Sequence, residues 1–147
     1  MKVQAVTDVG RERSVNQDYV YYSLTETGSL PNLFLVADGM GGHKAGDMAS
    51  RYTVETFVSL VQDSTLKDPV SIINNAVTQV NRRLLQKAAE SEDYEGMGTT
   101  LVAATVYDNI LRVANVGDSR LYILGNEITQ ITSCLLYTSP SPRDRSV

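Results

Sequence analysis

Between Thr100 and Ile131, four apolar segments (residues 100–107, 110–116, 120–124 and 127–131) follow one another with almost nothing between them. A parallel crossover takes a dozen or more residues, so neighbours this close run antiparallel. Asp108-Asn109 and Gly125-Asn126 read as two-residue hairpin turns, since both pairs tolerate the positive φ such turns impose. Upstream the period changes. From Asp47 to Gln62, Met48, Tyr52, Phe57, Val58 and Val61 fall at helical intervals. A second helix has a marked start, with Asp68 as cap and Pro69 as first helical residue. Ile72, Ile73, Ala76, Val77, Val80, Leu84 and Ala88 then trace one face. Earlier still, residues 2–9 and 18–24 have strand patterns, and Asn32 to Ala37 is a short apolar run ending at Asp38-Gly39. The predicted order is β-β-β-α-α-β-β-β-β, an α+β fold with helices packed on antiparallel sheet.

A chain of 147 residues is the size of one domain, with roughly two thirds of its unfolded surface available for burial, and it shows no internal repeat or linker. Apolar (42%) and charged (20%) shares argue against disorder and against a fibrous class. No apolar run approaches the roughly 18 residues needed to span a bilayer, so no membrane association is expected. Met1 to Val6 alternate directly into a strand pattern, which leaves no space for a signal core and makes the cytoplasm the expected location. Net charge is −4 without a Lys/Arg run, unlike a duplex nucleic-acid binder that must neutralise phosphates.

At Ser133 the character of the chain breaks. Cys134 to Asp144 has no period and carries Pro140 and Pro142, and it resembles a translated sequencing-library adapter. Residues 133–147 are therefore expected to be unstructured and foreign to a domain spanning 1–132. Cys134 is the single cysteine, so residues 1–132 hold no disulfide, no thiolate zinc site and no cysteine nucleophile.

Three acidic clusters remain: Asp8 through Asn16-Gln17-Asp18, then Asp38-Gly39-Met40-Gly41-Gly42, then Gly117-Asp118-Ser119-Arg120. A carboxylate at the end of an apolar strand is rigidly held, and an adjacent glycine lets a backbone carbonyl approach the same ion. Oxygen donors suit Mg²⁺ or Mn²⁺, whereas His43, the single histidine, cannot build an imidazole-rich site.

Together these segments resemble the type-2C, metal-dependent serine/threonine protein phosphatases (the PPM family), especially their bacterial members. The likeness is carried by Thr7-Asp8-x-Gly10-x-x-Arg13-x-x-Asn16-Gln17-Asp18, by Val36-Ala37-Asp38-Gly39-Met40-Gly41-Gly42-His43, by Gly98-Thr99-Thr100 and by Asn115-Val116-Gly117-Asp118-Ser119-Arg120. It implies a four-layer α-β-β-α sandwich, incomplete here, with antiparallel sheets flanked by helices. Asp38 would bridge a pair of Mg²⁺ or Mn²⁺ ions, the Gly39 carbonyl would ligate one, and Asp18 would serve the other directly or through water. Arg13 would bind the substrate phosphate, its planar fork donating two parallel hydrogen bonds. Asp118 would help hold a third, weaker ion, and Asp8, Asn16, Thr99 and Thr100 would order these ligands by hydrogen bonding. The activity implied is hydrolysis of phosphoserine and phosphothreonine in proteins by a metal-activated water, with no protein nucleophile. Phosphorylated proteins and an opposing serine/threonine kinase are the implied partners, and the complete protein would be a monomer.

This sequence departs from that pattern in two ways. Many eukaryotic relatives place a proposed general acid, a histidine, directly after the Asp-Gly, where this chain has Met40; helix-start packing or capping is the expectation for His43. The family's two remaining metal-binding aspartates, its flap and its closing strands would lie beyond residue 132. The chain as written is therefore expected to bind Mn²⁺ weakly, to hydrolyse little and to expose edges and apolar faces that favour aggregation. Two other readings are an inert gene fragment and a non-catalytic phosphoprotein-binding or regulatory module, which would need Arg13 but not the carboxylates. A phosphate-binding loop is unsupported because Gly42-His43-Lys44 lacks the Gly-Lys-Ser/Thr signature, and no Asp-x-Asp pair offers an aspartyl nucleophile.

Overall fold

The computed structural model describes residues 1–11, 16–42 and 45–131. Its elements are β1 (Asp18–Ser23), β2 (Leu33–Met40), α1 (Ala45–Asp63), α2 (Pro69–Ala88), a single 3-10 turn (Glu92–Tyr94), β3 (Gly98–Thr99), β4 (Leu101–Tyr107), β5 (Ile110–Val116), β6 (Tyr122–Leu124) and β7 (Ile128–Gln130). One antiparallel sheet runs β1-β2-β4-β5, with β3 pairing the far end of β2; β6 and β7 form a separate hairpin. The architecture is α+β, with both helices on one face of the main sheet.

Alternation along β2 decides which residues go where. Leu33, Leu35 and Ala37 point to the helices and are at most 1% exposed, joining Phe57 and Val61 of α1, Ile72, Ile73, Ala76 and Val80 of α2, and Leu101 and Ala103 of β4 in the main core. Phe34 packs on the opposite face, against Val102, Ala104 and Val113, with Leu121 and Ile131 at the base of the hairpin. β4 is buried from Leu101 through Thr105, as expected of a strand covered on both sides. At the end of the sheet away from Asp38, Asn32 joins two strands: its Nδ2 donates to the Val106 carbonyl (2.9 Å), its Oδ1 accepts from the Val106 N–H (2.8 Å), and its carbonyl accepts from Thr105 Oγ1 (2.8 Å).

Asp68 caps α2 as expected, its carboxylate accepting from the Ser71 N–H at 3.0 Å and the Ser71 hydroxyl at 2.8 Å, and Pro69 opens the helix. Those two donors hold the Asp68 carboxyl below the usual carboxylate range. Asp108 and Asn109 take φ of 52° and 61° between the paired Tyr107 and Ile110, the two-residue turn that the sequence predicts. Gly125-Asn126 differs. Leu124 pairs with Ile128, so three residues make the connection, and neither Gly125 nor Asn126 has positive φ; a longer loop lifts the demand that a two-residue turn imposes.

Residues 2–9 form no strand, contrary to their pattern. Alternation offers a pleated ribbon, but a ladder needs a neighbour, and no described strand pairs with this segment. β2 is longer than its apolar run suggests, because β3 pairs Gly39 with Thr99 and Met40 with Gly98 and so carries the ladder past Asp38.

Candidate functional site

Asp18 opens β1, and Asp38 lies directly opposite it on β2 in the antiparallel register. Both are exposed, on the sheet face away from the helices. Directly opposed residues carry their Cβ atoms about 4.5–5.5 Å apart, and two carboxylates so placed repel each other. Two carboxylates facing each other at one register position are oxygen donors of the kind that suits a divalent cation.

The main chain around Asp38 is tightly held. Its N–H donates to Thr100 Oγ1 at 3.0 Å and its carbonyl accepts from the Thr100 N–H at 2.9 Å. Gly39 donates its N–H to the Gln17 carbonyl at 2.9 Å. A Cβ on Gly39 would lie 1.8 Å from the carbonyl oxygen of Gly46, and one on Gly46 would lie 2.6 Å from the Gln17 amide. Here the strand and the first turn of α1 approach so closely that only glycine fits at position 39, while a side chain at position 46 would have to displace the Gln17 amide. Gln17 also donates to the Gly41 carbonyl at 3.3 Å.

The other expected residues gather around this point. Thr99 lies opposite Gly39, and its hydroxyl donates to the Thr100 carbonyl at 2.8 Å. Asn16 Oδ1 accepts from the Asp18 N–H at 2.9 Å, while its Nδ2 donates to Thr7 Oγ1 at 2.7 Å. That bond ties the strand to the turn in which Asp8 accepts from the Gly10 N–H. Asp118 is exposed on the turn after β5, where Gly117 has φ of +98° and its hypothetical Cβ would be 2.8 Å from Thr100 Cγ2. Asp18, Asp38, Gly39, Thr99 and Thr100 thus share one end of the sheet, and the Asp118 turn packs against Thr100. Arg13 and His43 lie outside the described residues.

Gln17, which bonds Gly39 and Gly41, and Ser119, whose Oγ lies 2.6 Å from Thr100 Oγ1, make contacts that their sequence motifs contain but do not announce. Both stand beside a named carboxylate, and that adjacency is the signal available in the sequence.

Asp18, Asp38 and the Gly39 carbonyl are hard oxygen donors of the kind that hold Mg²⁺ or Mn²⁺. They fit such ions but do not complete a shell: among the described residues no three acidic, histidine or cysteine side chains converge on one point. A separate cleft of about 810 Å³ opens beside Gly42, lined by Asp47, Arg51, Glu92, Asp93 and Glu95, and Asp18 and Asp38 do not line it. No described helix is long and apolar enough to cross a membrane.

The chain matches the family model for protein phosphatase 2C over residues 9–134. It is 35% identical over 137 residues to protein phosphatase PhpP of Streptococcus pneumoniae, covering 90% of this chain and 54% of that protein. Among solved structures it is similar to a bacterial serine phosphatase (36% identity, TM-score 0.77, 88% of this chain and 53% of that one). It is equally similar in sequence to the catalytic domain of the serine/threonine phosphatase PstP in complex with two manganese ions (36% identity, TM-score 0.72, 85% and 52%). The chain spans about half the length of these relatives. The match runs from the turn before Asp18 through the whole described sheet, and the chain belongs to the protein phosphatase 2C family.

Proposed function

We propose that this chain carries the first metal-binding half of a protein serine/threonine phosphatase that removes phosphate from phosphoserine and phosphothreonine. The observation that supports it is the placement of Asp18 opposite Asp38 on paired strands, with the Gly39 carbonyl next in line. In this reading Asp38, the Gly39 carbonyl and Asp18 would hold a pair of Mg²⁺ or Mn²⁺ ions, and Asp118 would contribute to a third, weaker site. The bound cations supply Lewis acidity at phosphorus and a water activated for in-line attack. Arg13 grips two phosphoryl oxygens and remains charged at working pH. Asp8, Asn16, Thr99 and Thr100 keep these groups in place by the hydrogen bonds described above. A phosphoprotein-binding module would have no use for opposed carboxylates, which favours the enzyme. The remaining metal ligands belong to the half of the relatives that this chain does not span, and residues 133–147 are proposed to lie outside the domain. A cytoplasmic monomer opposing a serine/threonine kinase completes the proposal.

The test is made on the domain with its second half present. Asp38→Ala is expected to abolish Mn²⁺-dependent hydrolysis of a phosphothreonine peptide, a loss of about 10³-fold or more in kcat. Turnover that survives the substitution rejects this site.

A further inference from the structure

Thr100 stands at a junction. Its Oγ1 accepts the Asp38 N–H at 3.0 Å and lies 2.6 Å from Ser119 Oγ. Its main-chain N–H donates to the Asp38 carbonyl at 2.9 Å. Thr100 is 3% exposed, so water does not readily replace these bonds. The Ser119 hydroxyl comes from a different part of the sheet, the turn after β5, where Gly117 at φ +98° lets the backbone close on the Thr100 side chain. One chain of hydrogen bonds therefore runs from the residue beside Asp118, through Thr100, to the amide of Asp38.

We propose that Ser119 is a positioning residue for Asp38, acting through the Thr100 hydroxyl as a strut that also fixes the Asp118 turn against β2. This rests on the reading of Asp38 as a metal ligand. Accepting from the Asp38 N–H leaves the Thr100 hydroxyl proton free to donate to Ser119 Oγ, and in that direction the two bonds polarise and strengthen each other. The Asp38 carboxylate projects from a backbone pinned on both sides, and a shift of Asp118 is felt at Asp38 through two hydrogen bonds. Nothing in this role brings Ser119 to the substrate.

Amide hydrogen exchange on the ¹⁵N-labelled, metal-free domain with its second half present reads the strut directly. Ser119→Ala is expected to speed exchange of the Asp38 N–H about three- to tenfold relative to amides of α2, with the global unfolding midpoint little changed. Ser119→Thr, which keeps the hydroxyl, is expected to restore protection, and Thr100→Val to remove it. In parallel, loss of the free Mn²⁺ spin-resonance signal measures metal binding, and Ser119→Ala is expected to weaken it several-fold with rescue by Ser119→Thr. An Asp38 exchange rate unchanged by both Ser119→Ala and Thr100→Val overturns the strut. A wild-type domain, second half present, that leaves the Mn²⁺ signal at full strength counts instead against the metal reading, so the two failures are told apart.

Discussion

The two faces of the main sheet are built from the same strands and do opposite things. Toward α1 and α2, Leu33, Leu35, Ala37 and Phe57 are essentially sealed from solvent. Toward the other side, β2 presents Val36 at 45% and Met40 at 53% exposure with Asp38 between them, and every residue of the β6-β7 hairpin is exposed. One face spends its side chains on burial, worth about 1.5–3 kcal/mol for each large apolar group. The other buries a smaller cluster around Val102, Ala104 and Val113 and, at the Asp38 end, sets two carboxylates opposite each other across a ladder. Stability and candidate chemistry are separated by the thickness of one sheet, and the pleat lets adjacent residues such as Ala37 and Asp38 belong to different sides.

The strongest challenge to this division is Phe57→Ala. Phe57 is fully buried in the core beneath β2, so truncation is expected to lower unfolding free energy by about 3–5 kcal/mol, measured in urea. A cost under about 1 kcal/mol would show that the helix face is not the stabilising one. Next comes Asp18→Asn in the presence of a chelator. Removing one of two opposed charges is expected to leave stability unchanged or to raise it by at most about 1 kcal/mol. A destabilisation approaching that of Phe57→Ala would mean that the open face is structural after all.

The smallest effect is at the α2 cap. The folded-state pKa of Asp68 is lowered by the Ser71 donors, so its contribution to stability is complete above the ordinary value of 3.8 and is lost as pH falls from there through the folded value. Ser71→Ala is expected to flatten that acid limb slightly in pH-dependent urea midpoints without altering Mn²⁺ binding, since the cap lies on the helix layer. A change in metal affinity would join the two faces that the sheet keeps apart.

How far the sequence carried depends on the size of the side chains involved. For α2, the apolar residues read along one face are those that pack, because Ile72, Ile73, Ala76 and Val80 are apolar and recur at helical spacing. For α1 the reading was partial: Phe57 and Val61 are core, but Ala49, Ser50, Thr53 and Val54 are equally buried. Small and hydroxyl-bearing residues give a weak hydrophobic signal, yet they are what a helix needs when its first turn comes within contact of Gly39. The strand pattern of residues 2–9 failed in the other direction, since periodicity describes a ribbon and says nothing of its neighbour. Asp18, Asp38 and Asp118 were legible as carboxylates beside turns and strand ends, whereas the part played by Ser119 was not, because it depends on a residue 19 positions away in sequence.

The amino-acid order by itself determined both helices, the strands from Asp18 onward other than β3, the antiparallel hairpin at Asp108-Asn109 and the cap at Asp68, all of which rest on local spacing and side-chain chemistry. Register was left to the tertiary structure. That Asp18 faces Asp38, that β3 extends β2 through Gly39, and that Ser119 meets Thr100 follow from which strand pairs with which, and at what offset. Pairing is settled by burying one face of the whole sheet at once, because a slip of a single residue would turn Leu33, Leu35 and Ala37 to solvent and Asp38 into the core.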